Sequence, residues 1–251
     1  MVAAGHVALA MLPSVWAFPS LAALVALVFA AMLFRRFVRS RRSYLALWAI
    51  ALLMYAVASG VVALGALNGW TTMEFRVYWA LGAVLNVPFL AQGELELLIR
   101  SRWVRFALYV VLAFVIAYTI ARVRTATVHV DALAEQLPSG KEVFGDGTSA
   151  HRLPQLVSIP AYVVLLGGTL WSAWRMRGRP ELRDRFWGTL LIALGATVIA
   201  AFGSAFAALG ELLPFSVSLL LGVTVMFAGF VRASAGTRPS APRRPDRRSI
   251  E

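Results

Sequence analysis

The chain has 251 residues, 60% of them hydrophobic and 14% charged, with 24 Lys and Arg against 12 Asp and Glu. Soluble domains carry about 25% charged residues, so this composition belongs to the membrane class. The formal charge of +12 does not mark a nucleic-acid binder, because the Arg residues fall in short clusters between apolar runs.

The absence of Cys removes disulfides, thiolate metal sites and Cys nucleophiles. Residues 1–19 are apolar but interrupted by Pro13 and Pro19, with Trp16 and Phe18 between them. They lack the basic start of a signal peptide and read as an interfacial lead-in with aromatic anchors. Seven apolar segments follow, at about 20–38, 44–67, 74–99, 104–121, 153–174, 186–209 and 212–231. Each has roughly 18 or more residues, enough to cross a hydrocarbon core of about 30 Å at about 1.5 Å per residue. The expected fold is therefore all-α: a polytopic transmembrane bundle of seven spans over residues 20–231. Membrane lipid is its first partner, and a bacterial plasma membrane is the expected location.

Orientation follows from the Arg and Lys residues. Clusters at Arg35 to Arg42, Arg100 to Arg105, Arg175 to Arg185 and from Arg232 onward hold 19 of the 24. The other side has Arg76, Arg122, Arg124, Lys141 and Arg152. The positive-inside rule then predicts the N-terminus outside and the C-terminus in the cytoplasm. The tail, residues 232–251, is rich in Pro, Ser and Arg and is expected to be disordered, its charges drawn to anionic head groups.

The third segment holds the polar residues. Asn86 lies near its middle, and Pro88 removes a backbone donor one turn beyond Val84, so a kink is expected there. An amide beside freed carbonyls is how carriers build a midplane site; the plainer expectation is a hydrogen bond to a neighbouring helix. Gln92 and Glu96 share a face, and Glu94 points elsewhere. Glu96 precedes Arg100 by four residues, the favourable order for an ion pair. Glu94 has no such partner, which makes it the carboxylate to suspect of handling protons or a cation. Further kinks are expected at Pro160 and Pro214, with Ser158 capping freed carbonyls near the first. Small residues in the sixth segment (Ala196, Ala200, Gly203, Ser204, Ala207) permit close helix contact.

The outer loop, residues 122–152, reads as a solvated lid. It holds His129, Asp131 and His151, types that bind divalent metals, at spacings that match no known site. A b-type haem needs axial His within the helices, and retinal needs Lys in the last span; His6, His129, His151 and Lys141 all lie outside the apolar segments. No cofactor is expected.

The strings GGTLWSAWR (residues 167–175), LIALGA (191–196), LLGVTVMFAGF (220–230) and YWALGA (78–83) resemble a family of bacterial, high-GC, actinobacterial-like seven-helix membrane proteins. The resemblance covers about residues 43–231 and implies architecture only, because that family brings no assigned activity. The residues favour a non-enzymatic sensor, scaffold or accessory membrane subunit, whose signal would pass through an unidentified protein partner. The alternative is a small carrier or proton-linked permease using Asn86, Gln92 and Glu94.

Overall fold

The computed structural model describes residues 14–235, and every regular element within them is a helix. Seven long rods occur: α1 (Ser14–Ser40), α2 (Ser43–Asn68), α3 (72–98), α4 (Arg102–Thr125), α5 (Ser149–Met176), α6 (Pro180–Ala208) and α7 (Leu212–Ala235). All but α3 are long and apolar enough to cross a membrane. In α3 the side chains of Asn86, Gln92, Glu94 and Glu96 lower the hydropathy that its length would otherwise provide. The expected lead-in before Ser14 and most of the basic tail lie outside the described residues.

Six rods close into a ring: α1 packs on α2 and α7, α3 on α2 and α5, and α6 on α5 and α7. The seventh, α4, lies outside the ring against α3 and the start of α5, with most of its surface exposed. This explains how a helix with four polar side chains sits here. Protein covers α3 on three sides, and Asn86, Gln92 and Glu94 are all buried.

Several local expectations change. The first described helix, over Ser14–Ser40, runs through Pro19. That proline sits early in the helix, where it removes one backbone bond and leaves the rest of the rod intact. In α3 the irregularity comes before Pro88, as a π-helical stretch over Tyr78–Leu85 that ends with the Asn86 N–H bonded to the Leu81 carbonyl. The widened turn and the missing donor of Pro88 leave carbonyls over, as π-bulges and prolines in membrane helices do. The Ser158 hydroxyl donates to two of them, Ala83 at 2.8 Å and Val84 at 3.0 Å. Ser158 thus caps α3 rather than its own helix. It can do so because α5 is itself π-helical over Pro154–Ser158, before Pro160, and the two irregular stretches touch. Pro214 falls in the first turn of α7, where an N–H has no intrahelical partner to lose, so nothing there requires a kink.

A close backbone-to-backbone contact joins α6 and α7 along glycines spaced seven apart on each helix. A Cβ at Gly188 would lie 2.5 Å from the Gly229 carbonyl oxygen, and one at Gly195 would strike the Gly222 carbonyl. The contact is reciprocal, since Gly222 and Gly229 would meet the Gly195 and Gly188 carbonyls at 2.8 and 2.6 Å. Small residues at helix interfaces serve this purpose in membranes. The small-residue stripe expected in the sixth segment reaches this interface only in part: Ala196 is buried and a Cβ at buried Gly203 would meet Ser218 and Leu219 of α7, whereas Ser204 is exposed.

The connection between α4 and α5 is a packed cap rather than a solvated lid. It contains a 3-10 turn (Val130–Ala134) and a short helix (Gly140–Phe144), and it buries Leu133, Leu137, Val143 and Phe144. Phe75, fully buried at the start of α3, contacts Trp70, Tyr78, Trp79 and Phe144 with ring centroids 5.4–6.1 Å apart. Indole N–H groups close the joint: Trp70 donates to the Gln136 carbonyl and Trp79 to the Ala150 carbonyl.

Candidate functional site

The Arg-rich helix ends gather at one end of the bundle. Arg36 of α1 donates to the Ser234 hydroxyl of α7, Arg232 of α7 lies 3.5 Å from Asp184 of α6, and Ser43 of α2 donates to Glu96 of α3. The cap forms the opposite end. Glu96 pairs with Arg105 of α4 at 3.4 Å rather than with the expected Arg100. The reason is local: α3 ends at Leu98 and Ile99 is extended, so Arg100 has left the helix and the four-residue geometry no longer exists.

Just inside this end, a cavity of about 110 Å³ occupies the middle of the ring. All six ring helices line it: Phe29 and Leu33 from α1, Trp48 and Leu52 from α2, Leu90 and Glu94 from α3, Thr169 and Ser172 from α5, Thr189 from α6, Phe230 from α7. The wall is apolar apart from Glu94 and the three hydroxyls. Helix periodicity accounts for the α3 contribution, because residues 90, 94 and 97 recur at three and four and so share a face.

Two glycine positions build the carboxylate's seat. A Cβ at Gly168 would lie 2.7 Å from Glu94 Cγ, so only glycine lets α5 approach the Glu94 stem. One turn on, the Ser172 hydroxyl donates to Glu94 Oε1 at 3.1 Å. On the α2 side, the Trp48 indole lies across Gly93, where a Cβ would overlap it, and donates to the Leu90 carbonyl at 3.1 Å. Glu94 is 4% exposed, and among the described residues no Arg or Lys comes within ion-pair distance of it. An unpaired carboxylate removed from water is expensive to keep charged, so a proton or a cation must compensate it.

The other polar residues of α3 do not join Glu94. Asn86 and Gln92 are buried but lie outside the cavity wall. Asn86 Oδ1 and Gln92 Nε2 have no hydrogen-bond partner among the described residues, so the bond to a neighbouring helix expected for Asn86 is not made through its oxygen. Glu96 turns instead to Arg105, its own side chain 5% exposed and the Arg105 side chain partly open to solvent. In the cap, no three of the His, Asp and Glu side chains among the described residues come together as metal ligands. His129 and Asp131 are exposed, and His151 faces Asp146 at 3.7 Å. Sequence reasoning missed Ser172, Gly168 and Trp48. Nothing in the local pattern ties them to Glu94, since they come from other helices. No family model, curated protein or solved structure matches the chain.

Proposed function

We propose that this chain is a non-enzymatic membrane protein that crosses the bilayer seven times and senses a small molecule in the central cavity, as a sensor or accessory subunit of a membrane assembly. The observation that carries this reading is the cavity wall. An occupant touches all six ring helices at once, so binding biases how they pack, and a change in packing is what a partner can read. The same helices argue against a mere scaffold, which needs no central space.

In this reading α3 is the seventh crossing, because its polar groups are covered by α2, α4 and α5, the condition under which they are tolerated at membrane depth. By the positive-inside rule, the gathered Arg residues support a cavity in the cytoplasmic half. The chain has no native Cys, so single-Cys variants report topology directly. A membrane-impermeant maleimide should label Glu135→Cys on intact bacterial cells and reach Ser101→Cys only after the membrane is opened. The reverse pattern overturns either the orientation or the crossing by α3, and labelling of both on intact cells overturns the crossing by α4.

Binding is tested in lipid nanodiscs with small uncharged probes, xenon and tert-butanol, using thermal unfolding. A probe that fills the cavity should raise Tm saturably, with stabilisation of about 2.7 kcal/mol at a hundredfold excess over Kd. The rise should vanish in Thr169→Leu, which adds carbon to the cavity wall. Equal responses of the two proteins would mean that the probes act through the lipid, and the reading fails. A second reading, a small proton-linked carrier, draws on the uncompensated Glu94; it is weakened because Asn86 and Gln92 do not continue the cavity. Sealed proteoliposomes separate the two, since a sensor binds its ligand without uptake.

A further inference from the structure

The chemistry of the cavity wall selects among occupants, an inference that rests on the cavity being a ligand site. Three aromatic rings, Phe29, Trp48 and Phe230, line the same cavity as a single carboxylate, and the rest of the wall is aliphatic apart from three hydroxyls. Phe29 and Phe230 are held 5.1 Å apart, and the Trp48 ring is fixed by its bond to the Leu90 carbonyl. We propose that the cavity binds a small organic ammonium ion, with its charge on Glu94 and its alkyl groups against Phe29, Trp48 and Phe230.

The compensation that Glu94 requires narrows the choice. A hard metal cation takes about six or more oxygen ligands in a defined shell. Here the polar side chains are only Glu94, Ser172, Thr169 and Thr189. That set is too small and its surroundings too apolar to replace a hydration shell. An organic ammonium asks for the opposite: one counter-charge, aromatic faces that attract a cation, and apolar surface for its carbon. Size limits the ligand to a few heavy atoms, because the cavity is smaller than the roughly 150 Å³ that holds benzene in an engineered apolar core. Among the described residues, the basic group that meets one of these rings is Arg36, its guanidinium 5.1 Å from the Phe230 centroid. It is exposed at the Arg-rich end, where water and salt screen it.

The test uses the full chain in nanodiscs, labelled with 5-fluorotryptophan, the Trp48 signal being assigned from Trp48→Phe. Tetramethylammonium chloride and its uncharged near-isostere tert-butanol are titrated, with sodium chloride as the ionic control. Tetramethylammonium should shift the Trp48 resonance saturably, and sodium chloride should not. Glu94→Gln should weaken tetramethylammonium by about a hundredfold, as expected when a buried charge loses its partner, while the tert-butanol response persists and reports an intact fold. Phe29→Leu removes a ring without touching the charge, and should weaken tetramethylammonium more than tert-butanol. If tert-butanol binds but tetramethylammonium does not, or binds Glu94→Gln and Phe29→Leu as well as wild type, the ammonium inference falls and the cavity reading stands. If sodium chloride reproduces the shift, the site takes simple cations and the inference also falls. If no probe moves Trp48, both readings fall together.

Discussion

Gly195→Val is expected to lower the unfolding free energy by about 3 kcal/mol, the upper end of the usual cost of overpacking a filled interior. The new Cβ would strike the Gly222 carbonyl and come within 2.6 Å of Met226 Cγ and 2.7 Å of the Met226 backbone nitrogen. Two of those three atoms are backbone, so they cannot swing aside as a side-chain tip would. Relief requires α6 and α7 to separate, which also opens the Gly188–Gly229 contact one heptad away. Gly167→Ala is the matched control: no atom lies within 4 Å of a Cβ there, and alanine is the better helix former by about 1 kcal/mol. Thermal unfolding of both variants in detergent, followed by circular dichroism, makes the comparison. A Gly195→Val protein that melts with wild type would show that the α6–α7 seam does not hold the ring closed.

Phe75→Ala should cost about 3–5 kcal/mol, the range for truncating a fully buried aromatic ring. Phe75 is the shared member of the ring cluster that fastens the cap to the start of α3, with Trp79 stacked on it at 5.7 Å and Phe144 tilted at 5.4 Å. Its loss leaves a cavity between two elements that are far apart in sequence, so the cap should loosen before the bundle does. Hydrogen exchange offers the readout: amides in residues 128–153 should lose protection in the variant while those of α1 and α2 keep theirs. Uniform loss across the chain would mean that the cap is not a separate unit, and unchanged protection would mean that the cluster contributes little.

Neither effect is visible in a hydropathy trace, which marks the boundary of what local pattern can show. The rods themselves are legible, because a run of about 20 apolar residues has few alternatives to a helix when lipid cannot satisfy its backbone. The Arg clusters are legible for the same reason of solvation, and the structure gathers them at one end. Glu94 stands out as a carboxylate without a partner within helix reach, and it alone of the polar α3 residues faces the cavity. The partner of Glu96 escapes sequence reasoning because an ion pair with Arg100 assumes a continuing helix. The chain instead leaves the helix at Ile99 and lets Arg105 of the next rod answer. The packing of the cap escapes it too, because the buried residues Leu133, Leu137, Val143 and Phe144 are too few and irregular to show a period.

By itself, then, the amino-acid sequence determined the element type and the polarity of the two ends, since both depend on how each short segment meets lipid or water. What only the tertiary structure decided is which side chains from different rods meet: the closure of six helices into a ring, the glycine seam, Ser158 serving α3, and the joining of Glu94 to Ser172, Gly168 and Trp48. Those contacts join residues that lie far apart along the chain. Their energies depend on close approach of backbones, which glycine permits but does not by itself predict.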